Sequence, residues 1–226
     1  MDALRPLYSE VMSNRVWITL AVAVSTAATL SAAQTRGGTG RATTPAKPAT
    51  PPSVERRAAC ASNLGEGVKS KKAYCDVIIA AMGAESVSLE IPPHTGPSML
   101  YFDLHPRFEV SQPDGDPARL FQRHAVVVAI VGPTGDVIER VGTDGEYRST
   151  ADLAERLPGQ GPGGFKVVAP GQPARTIKVQ IPASISAIGI VGLRVEIQNR
   201  FNFQVFPEPG RPVAIVSNWR IEYTAR

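Results

Sequence analysis

The chain has 226 residues, with 20 glycines and 20 prolines, a content that is high for a helical protein and typical of many short strands joined by turns. The net charge is +4, but seven of the 24 basic and three of the 20 acidic residues fall in residues 1–59. Residues 60–226 therefore hold 17 residues of each sign, and this neutral balance argues against nucleic-acid binding.

The N-terminus predicts an export signal over residues 1–33. Residues 16–30 are uncharged and mostly apolar, Arg15 precedes them, and small residues up to Ala33 fit a signal-peptidase site. The alternative is an uncleaved anchor over residues 16–33, which would be the chain's one contact with a membrane. Met12 is a second candidate start. We expect cleavage after Ala33 and a periplasmic or extracellular location.

Residues 34–59 are rich in Pro, Thr and Ala and lack apolar residues to bury, which predicts a disordered linker. The folded domain is then expected over residues 60–226. It contains both cysteines of the chain, Cys60 and Cys75. An exported chain with an even cysteine count favours a disulfide, and closing a loop of this length is worth about 3 kcal/mol.

Strands are predicted over residues 76–81, 86–91 and 98–104, the last interrupted by His105-Pro106. Residues 124–142 read as a β-hairpin, because an apolar run at 126–131 is followed by a Gly/Pro/Asp turn and a second short apolar segment. The first strand of this hairpin is apolar on both faces and is expected inside a sheet. The second carries Glu139 and Arg140, which should reach water.

One short helix is predicted near residues 150–157, with Ser149 and Asp152 as its N-terminal capping pair and Pro158 at its end. The glycine-rich segment 159–164 lacks the Gly-Lys-Ser/Thr of a phosphate loop and is expected to be a surface crossing.

Further strands are predicted over residues 165–169, 175–181, 187–198 and 213–223, with Gly189 and Gly192 as candidate bulge sites. In the last segment, period-two alternation predicts a buried face that includes Trp219 and a solvated face that includes Arg220. The predicted buried side chains are Val213, Ile215, Ser217, Trp219, Ile221 and Tyr223. Together these signals predict an all-β fold, a two-sheet β-sandwich of jelly-roll or immunoglobulin-like type.

Few residues of the sequence are candidates for a metal-binding or catalytic site. His94, Asp103 and His105 are conceivable metal ligands, but turn and surface roles are commoner for such residues, so we expect no metal and no cofactor. No Gly-x-Ser-x-Gly elbow occurs, although a Ser/His/Asp triad stays open. The acidic turns at residues 114–116 and 144–146 lack the full calcium-loop pattern.

The aromatic residues near the C-terminus allow two interpretations. Phe201 and Phe203 alternate and are expected to pack in the core. Phe206 and Tyr147 are expected on loops, where they could form a ligand-binding platform for a sugar ring or another apolar group.

The segment at residues 215–223, IVSNWRIEY, resembles the last strand of jelly-roll carbohydrate-binding modules. It carries no binding motif. The whole chain also resembles uncharacterised exported bacterial proteins that consist of a signal, a linker and one β-domain. These resemblances imply export and a sandwich, and no activity.

The leading hypothesis is an exported, non-catalytic β-sandwich that binds a protein partner or a cell-surface polymer such as a polysaccharide. A carbohydrate-binding module is the first alternative and a secreted hydrolase the second. An exposed aromatic row would favour carbohydrate. A pocket joining His94, Asp103 and His105 would favour an enzyme, and an unpaired edge strand would favour a protein partner.

Overall fold

The computed structural model describes residues 53–55, 58–80, 87–110 and 121–226, and for residues 53–55 it describes the backbone. This part of the chain is almost entirely extended. Its twelve strands are β1 (Ser53–Glu55), β2 (Asn63–Glu66), β3 (Ala73–Ile78), β4 (Val87–Glu90), β5 (His94–Glu109), β6 (Gln122–Val131), β7 (Val137–Tyr147), β8 (Val168–Pro170), β9 (Arg175–Ile181), β10 (Ala187–Gln198), β11 (Phe203–Phe206) and β12 (Pro212–Ala225).

The strands form two antiparallel sheets. The seven-stranded sheet has the order β2-β3-β12-β5-β8, with β1 also paired to β12 and β9 also paired to β5. The five-stranded sheet has the order β11-β10-β6-β7, with β4 also paired to β10. The inner faces of both sheets contribute to one large apolar cluster. The predicted two-sheet β-sandwich is therefore confirmed.

The main core consists of side chains that alternate along strands of both sheets. Leu100, Phe102 and Leu104 on β5 face Val128 and Ile130 on β6, and all five are fully buried. Burying an aliphatic or aromatic side chain of this size contributes about 1.5–3 kcal/mol. The predicted hairpin is formed by β6 and β7, and β6 lies inside its sheet between β10 and β7, as expected.

Strand β5 runs straight through the His105-Pro106 dipeptide, so the predicted interruption is wrong. On one side, β9 pairs with β5 only as far as Leu104, and β8 takes over at Arg107. Pro106 lies in the gap between these two partners, where a missing backbone N–H costs no ladder hydrogen bond on that side. Its carbonyl accepts a hydrogen bond from the N–H of Gly171 at 2.8 Å.

Strand β12 changes faces along its length, so the single buried face predicted for residues 213–223 is only partly right. Ala214 and Val216 pack in the main core, whereas Ile215 belongs to a separate cluster on the outer face of the sheet. The register then shifts between Ser217 and Arg220. Beyond this bulge the odd-numbered residues Trp219, Ile221 and Tyr223 face the core, as predicted.

The predicted helix near residues 150–157 is wrong beyond its first turn. The Ser149–Asp152 capping box is present, but it closes only a three-residue 3₁₀ turn at Thr150–Asp152. The chain then runs extended, with Leu153 bridged to Gly171. Leu157 is buried against the outer face of the seven-stranded sheet, because an extended segment can lay this side chain on Ile215 and its neighbours.

The described residues test some of the predictions about the N-terminal region and not others. The predicted signal, residues 1–33, and most of the predicted linker lie outside the described residues. Ser53–Glu55, inside the predicted linker range, pairs with β12. Cys60 and Cys75 form the predicted disulfide, with their Cα atoms 5.8 Å apart. Within the described residues, no helix is long and apolar enough to cross a membrane.

Candidate functional site

The hairpin of β10 and β11 forms one edge of the five-stranded sheet. Its register places Val205 opposite Glu196 and Phe206 opposite Val195. Because directly opposed residues of an antiparallel pair share a face, Phe206 follows the buried Val195 toward the core. Phe203 and Val205 therefore lie on the outer face of the sheet.

The turn of this hairpin is held by its own first residue. The side-chain amide oxygen of Asn199 accepts hydrogen bonds from the backbone N–H groups of Phe201 and Asn202 at 2.8 and 2.9 Å. The N–H of Asn199 donates in turn to the carbonyl of Asn202 at 3.0 Å. An Asn that accepts from N–H groups two and three residues ahead fixes a turn in this way. The tip of the hairpin is thus a defined conformation that presents Phe201.

Three apolar side chains of this hairpin are exposed. Phe201 is 78% exposed, Phe203 60% and Val205 45%. The expectation that Phe201 and Phe203 pack in the core is therefore wrong. Their alternation is real, but the face it marks is the outer one, against which no other sheet of the described residues packs. Contiguous exposed apolar side chains of this kind mark interaction surfaces more often than a scattered single residue does.

The backbone of β11 adds hydrogen-bonding groups to this surface. Within the described residues, no strand pairs with the edge of β11 that faces away from β10. The Asn199–Asn202 hydrogen bond sets the phase of the ladder, which alternates bonded and non-bonded pairs. The next bonded pair is Ile197–Gln204, so the N–H and C=O groups of Phe203 and Val205 point to the free edge. We call the exposed side chains together with this edge the β11 surface.

The predicted Tyr147–Phe206 platform is not formed. Tyr147 ends strand β7, not a loop, and is 2% exposed against Phe108 and Leu153. Burial raises the pKa of its phenol and leaves neither ring face open to a ligand. Phe206 is half-buried, and the guanidinium of Arg211 lies 3.6 Å from its ring centroid.

The alternative metal site is also not assembled. His94 and His105 lie eleven residues apart on the single strand β5, which separates them by about 30 Å or more at the rise of an extended chain. The Nδ1 atom of His94 lies 2.8 Å from the Pro92 carbonyl. Among the described residues, no group of three or more His, Cys, Asp or Glu side chains is placed to hold a metal ion.

Of the candidate calcium turns, residues 114–116 lie outside the described residues. Asp144 and Glu146 are part of strand β7, so the second candidate is not a loop. Both carboxylates face basic partners: Asp144 lies 3.3 Å from an Arg123 nitrogen, and Glu146 pairs with Arg148.

His105 and Ser217 form a pair that sequence reasoning left open. The Ser217 Oγ lies 3.0 Å from Nε2 of His105, and Nδ1 of His105 lies 3.2 Å from the Gly171 carbonyl. A carbonyl can only accept, so Nδ1 carries the proton and Nε2 accepts from the serine hydroxyl. Burial lowers the pKa of the imidazole, which is consistent with this neutral form.

This arrangement has the hydrogen bonds of a nucleophile and its base, but both side chains are buried, with Ser217 1% exposed. The ring of Tyr74 covers His105 at a centroid distance of 5.7 Å. The third partner is a backbone carbonyl. The pair is therefore a buried polar link between β5, β12 and the segment that contains Gly171.

No protein-family model matches the chain, and no curated protein matches it closely enough to be a relative.

Proposed function

We propose that this protein is an exported, non-catalytic binding module that takes an extended segment of a partner protein as an added strand along the β11 surface. The observation that carries the proposal is the coincidence, on one edge strand, of outward-pointing backbone groups and exposed apolar side chains at period two. Strand addition needs both features, because the backbone supplies affinity and the alternate side chains supply specificity.

The size of the β11 surface sets the expected strength of this interaction. Its two phenylalanines and one valine expose roughly 300 Å² of apolar surface, worth about 7 kcal/mol if fully buried. Association itself costs about 4–15 kcal/mol. Backbone hydrogen bonds along the edge have to supply the remainder, so we expect a transient complex with a Kd in the micromolar range.

Export is supported by two independent features. Residues 1–33 have the composition of a signal, and a Cys60–Cys75 disulfide is consistent with an oxidising compartment. The partner is then a protein of the periplasm or the extracellular space. Intact-mass measurement of the exported protein should find Gln34 at its N-terminus, whereas a product that retains residues 16–33 would show an anchored protein.

Carbohydrate binding at the same place is the second candidate, because Phe201 and Phe203 are exposed aromatic rings close together in the chain. Strand addition is favoured for one reason. Sugar hydroxyls need several fixed polar side chains beside a ring, whereas β11 places an unpaired backbone edge and an exposed aliphatic Val205 there.

Photo-crosslinking in the native host tests the proposal. Benzoylphenylalanine replaces Phe203, crosslinks are formed in intact cells, and the adduct is mapped by peptide mass spectrometry. We expect one partner, attached through a single short extended segment. In the same background, Val205→Pro should abolish the adduct, because it removes an N–H that points to the free edge but takes part in no bond to β10.

The control variant is Val167→Ser. It alters a comparably exposed apolar residue, 57% exposed, outside the hairpin. It should leave the adduct intact. An adduct that survives Val205→Pro, or one that carries only lipid or glycan, would refute strand addition.

A further inference from the structure

The seven-stranded sheet contains a gap beside the bulge of β12. On one side of β12, β3 pairs with residues 212–217 and β1 pairs with residues 220–222. Asn218 and Trp219 fall between these partners. On the other side, the register with β5 skips the same two residues. A cleft of ≈ 730 Å³ opens at this gap, and its lining includes Asn63, Ser70, Lys71, Lys72, Asn218 and Trp219.

Unusual backbone conformations are concentrated at this cleft. Within the described residues, Lys71 and Asn218 are the two non-glycine residues with positive φ, at 58° and 55°. Such conformations are unfavourable for side-chain-bearing residues and persist where surrounding structure enforces them. Both residues line the cleft. The strain is therefore placed in the lining of one cavity.

The wall that carries Lys71 is held by a carboxylate from a distant part of the chain. An oxygen of Glu155 accepts hydrogen bonds from the N–H of Ser70 at 2.7 Å and of Lys69 at 3.2 Å. The turn is closed by the N–H of Lys71, which donates to the carbonyl of Gly67 at 3.2 Å. The loop therefore presents Lys71 and Lys72 to the cleft from a fixed backbone.

The Asn218 part of the lining is oriented by Asp103. One oxygen of this carboxylate accepts from the Thr176 hydroxyl at 2.7 Å and the other from the Asn218 amide nitrogen at 3.0 Å. The Lys72 ammonium lies 3.6 Å from the same second oxygen. Because the amide nitrogen is committed to Asp103, the amide oxygen of Asn218 is turned away from it and is available as an acceptor.

The chemistry of the cleft is that of a sugar site with a preference for negative charge. The amide oxygen of Asn218 offers an acceptor for sugar hydroxyls, and Trp219 with the small Ala58 and Ala73 offers apolar contact. Lys71 and Lys72 line the cleft with one carboxylate, Glu66, so the lining carries one excess positive charge. Asp103 contacts Lys72 without lining the cleft. The volume exceeds that of a simple anion and lies within the usual range for ligand sites.

We propose that this cleft binds an acidic carbohydrate, through a sugar carboxylate held by Lys71 and Lys72 and sugar hydroxyls held by Asn218. The cleft belongs to the seven-stranded sheet and β11 to the five-stranded one. This proposal is therefore independent of strand addition, and the protein would bind a polymer and a protein partner through different sheets.

Calorimetry and amide chemical-shift mapping on the exported, disulfide-bonded protein test this site. The probes are oligogalacturonate, oligoglucuronate and oligomannuronate, together with the methyl ester of the preferred one and inorganic phosphate. At least one acid should bind, with shifts confined to residues 58–73 and 218–219, and its neutral ester should bind at least tenfold more weakly. Raising the salt concentration from 50 to 300 mM should weaken the binding of the acidic oligosaccharide more than the binding of its neutral ester.

The variants Lys71→Gln and Lys72→Gln should each lower the affinity about tenfold at an unchanged melting temperature. Lys178→Gln is the matched control, because Lys178 lies over Tyr101 on the same sheet but does not line the cleft. Val205→Pro should also leave sugar binding unchanged. Absence of binding to all three acids, equal binding of the ester, equal binding of phosphate, or affinity insensitive to Lys71→Gln would each overturn the proposal.

Discussion

The buried His124 should make the fold sensitive to acid. This side chain lies on β6, is 5% exposed, and packs edge-on against Phe108 at a centroid distance of 5.0 Å. Burial is the main reason that its pKa falls from the usual 6.5 to about 4, and the positive charges of Arg107 and Arg211 act in the same direction. A hydrogen bond to the backbone of Arg107 opposes them without reversing the shift.

The sign of the effect follows from the lowered pKa. Above pH 6.5 the imidazole is neutral in both the folded and the unfolded chain, so it does not lower the free energy of unfolding. As the pH falls below 6.5, the unfolded chain takes up a proton that the folded protein does not accept until about pH 4. The free energy of unfolding should therefore fall by about 2–3 kcal/mol between pH 7 and pH 4.5 from this residue alone.

Urea denaturation of wild type and His124→Leu at pH 7 and pH 4.5 measures this contribution. Carboxylates that are hydrogen-bonded in the folded protein, such as Glu155, also lose stability in acid, so the relevant quantity is the difference between the two pH dependences. The variant should lose about 2–3 kcal/mol less than wild type over this range. Parallel pH dependences would show that His124 titrates normally, and the assignment of its burial would be wrong.

Three further perturbations have defined outcomes. Trp219→Ala should lower the free energy of unfolding by about 3–5 kcal/mol, since Trp219 is 7% exposed in the main core. Arg220 is half-exposed, so the control variant Arg220→Ala should change the melting temperature little. A Trp219→Ala protein that melts like wild type would contradict the assignment of Trp219 to the core. Cys75→Ser should cost about 3 kcal/mol, and thiol labelling of the denatured, unreduced wild type should detect no free thiol. Glu155→Gln should cost about 1–3 kcal/mol and speed amide exchange in residues 67–72, and unchanged exchange there would show that this carboxylate does not hold the loop.

The sequence was sufficient to predict the sandwich, because its strands carry strong period-two or fully apolar patterns. Residues 175–181 and 187–198 match β9 and β10 at both ends. Gly192 was a predicted bulge site, and the β10–β6 register does shift there. A Cβ at this position would lie 2.6 Å from a Val213 methyl group, so the close approach of two strands requires glycine.

The prediction of which side chains of β12 face the core failed at Asn218, where one residue changes the alternation of buried and exposed positions. A left-handed residue in β12 adds a step to the period of two, so Ala214 and Val216 before Asn218 face the core with the opposite parity to Trp219 and Ile221 after it. Val213, beside an earlier register shift, also packs in the core, as predicted. Asn tolerates this conformation better than most residues, and an Asn inside an otherwise apolar and β-branched strand was the available signal. The predicted strand interruption at Pro106 was wrong for a related reason. The effect of a proline depends on which strands lie beside it, and a single sequence does not specify them.

The candidate sites were predicted least well, because exposure and cleft formation depend on the neighbours that the fold supplies. Phe203 alternates like a core residue, and only the register of β11 at the edge of its sheet shows that it faces outward. Likewise, Lys71 and Asn218 are 147 positions apart in the chain. They line the same cleft only because β3 and β1, the two partners on one side of β12, leave a gap in the sheet.

The position of β12 has a consequence for biogenesis. This strand is bordered by β5 on one side and by β3 and β1 on the other, so among the described strands it joins groups that have no other sheet pairing with one another. A nascent chain whose residues 212–225 are still inside the ribosome has three disconnected groups in place of the seven-stranded sheet, namely β1 alone, β2 with β3, and β5 with β8 and β9. Premature folding of this sheet is thereby disfavoured until β12 has left the ribosome.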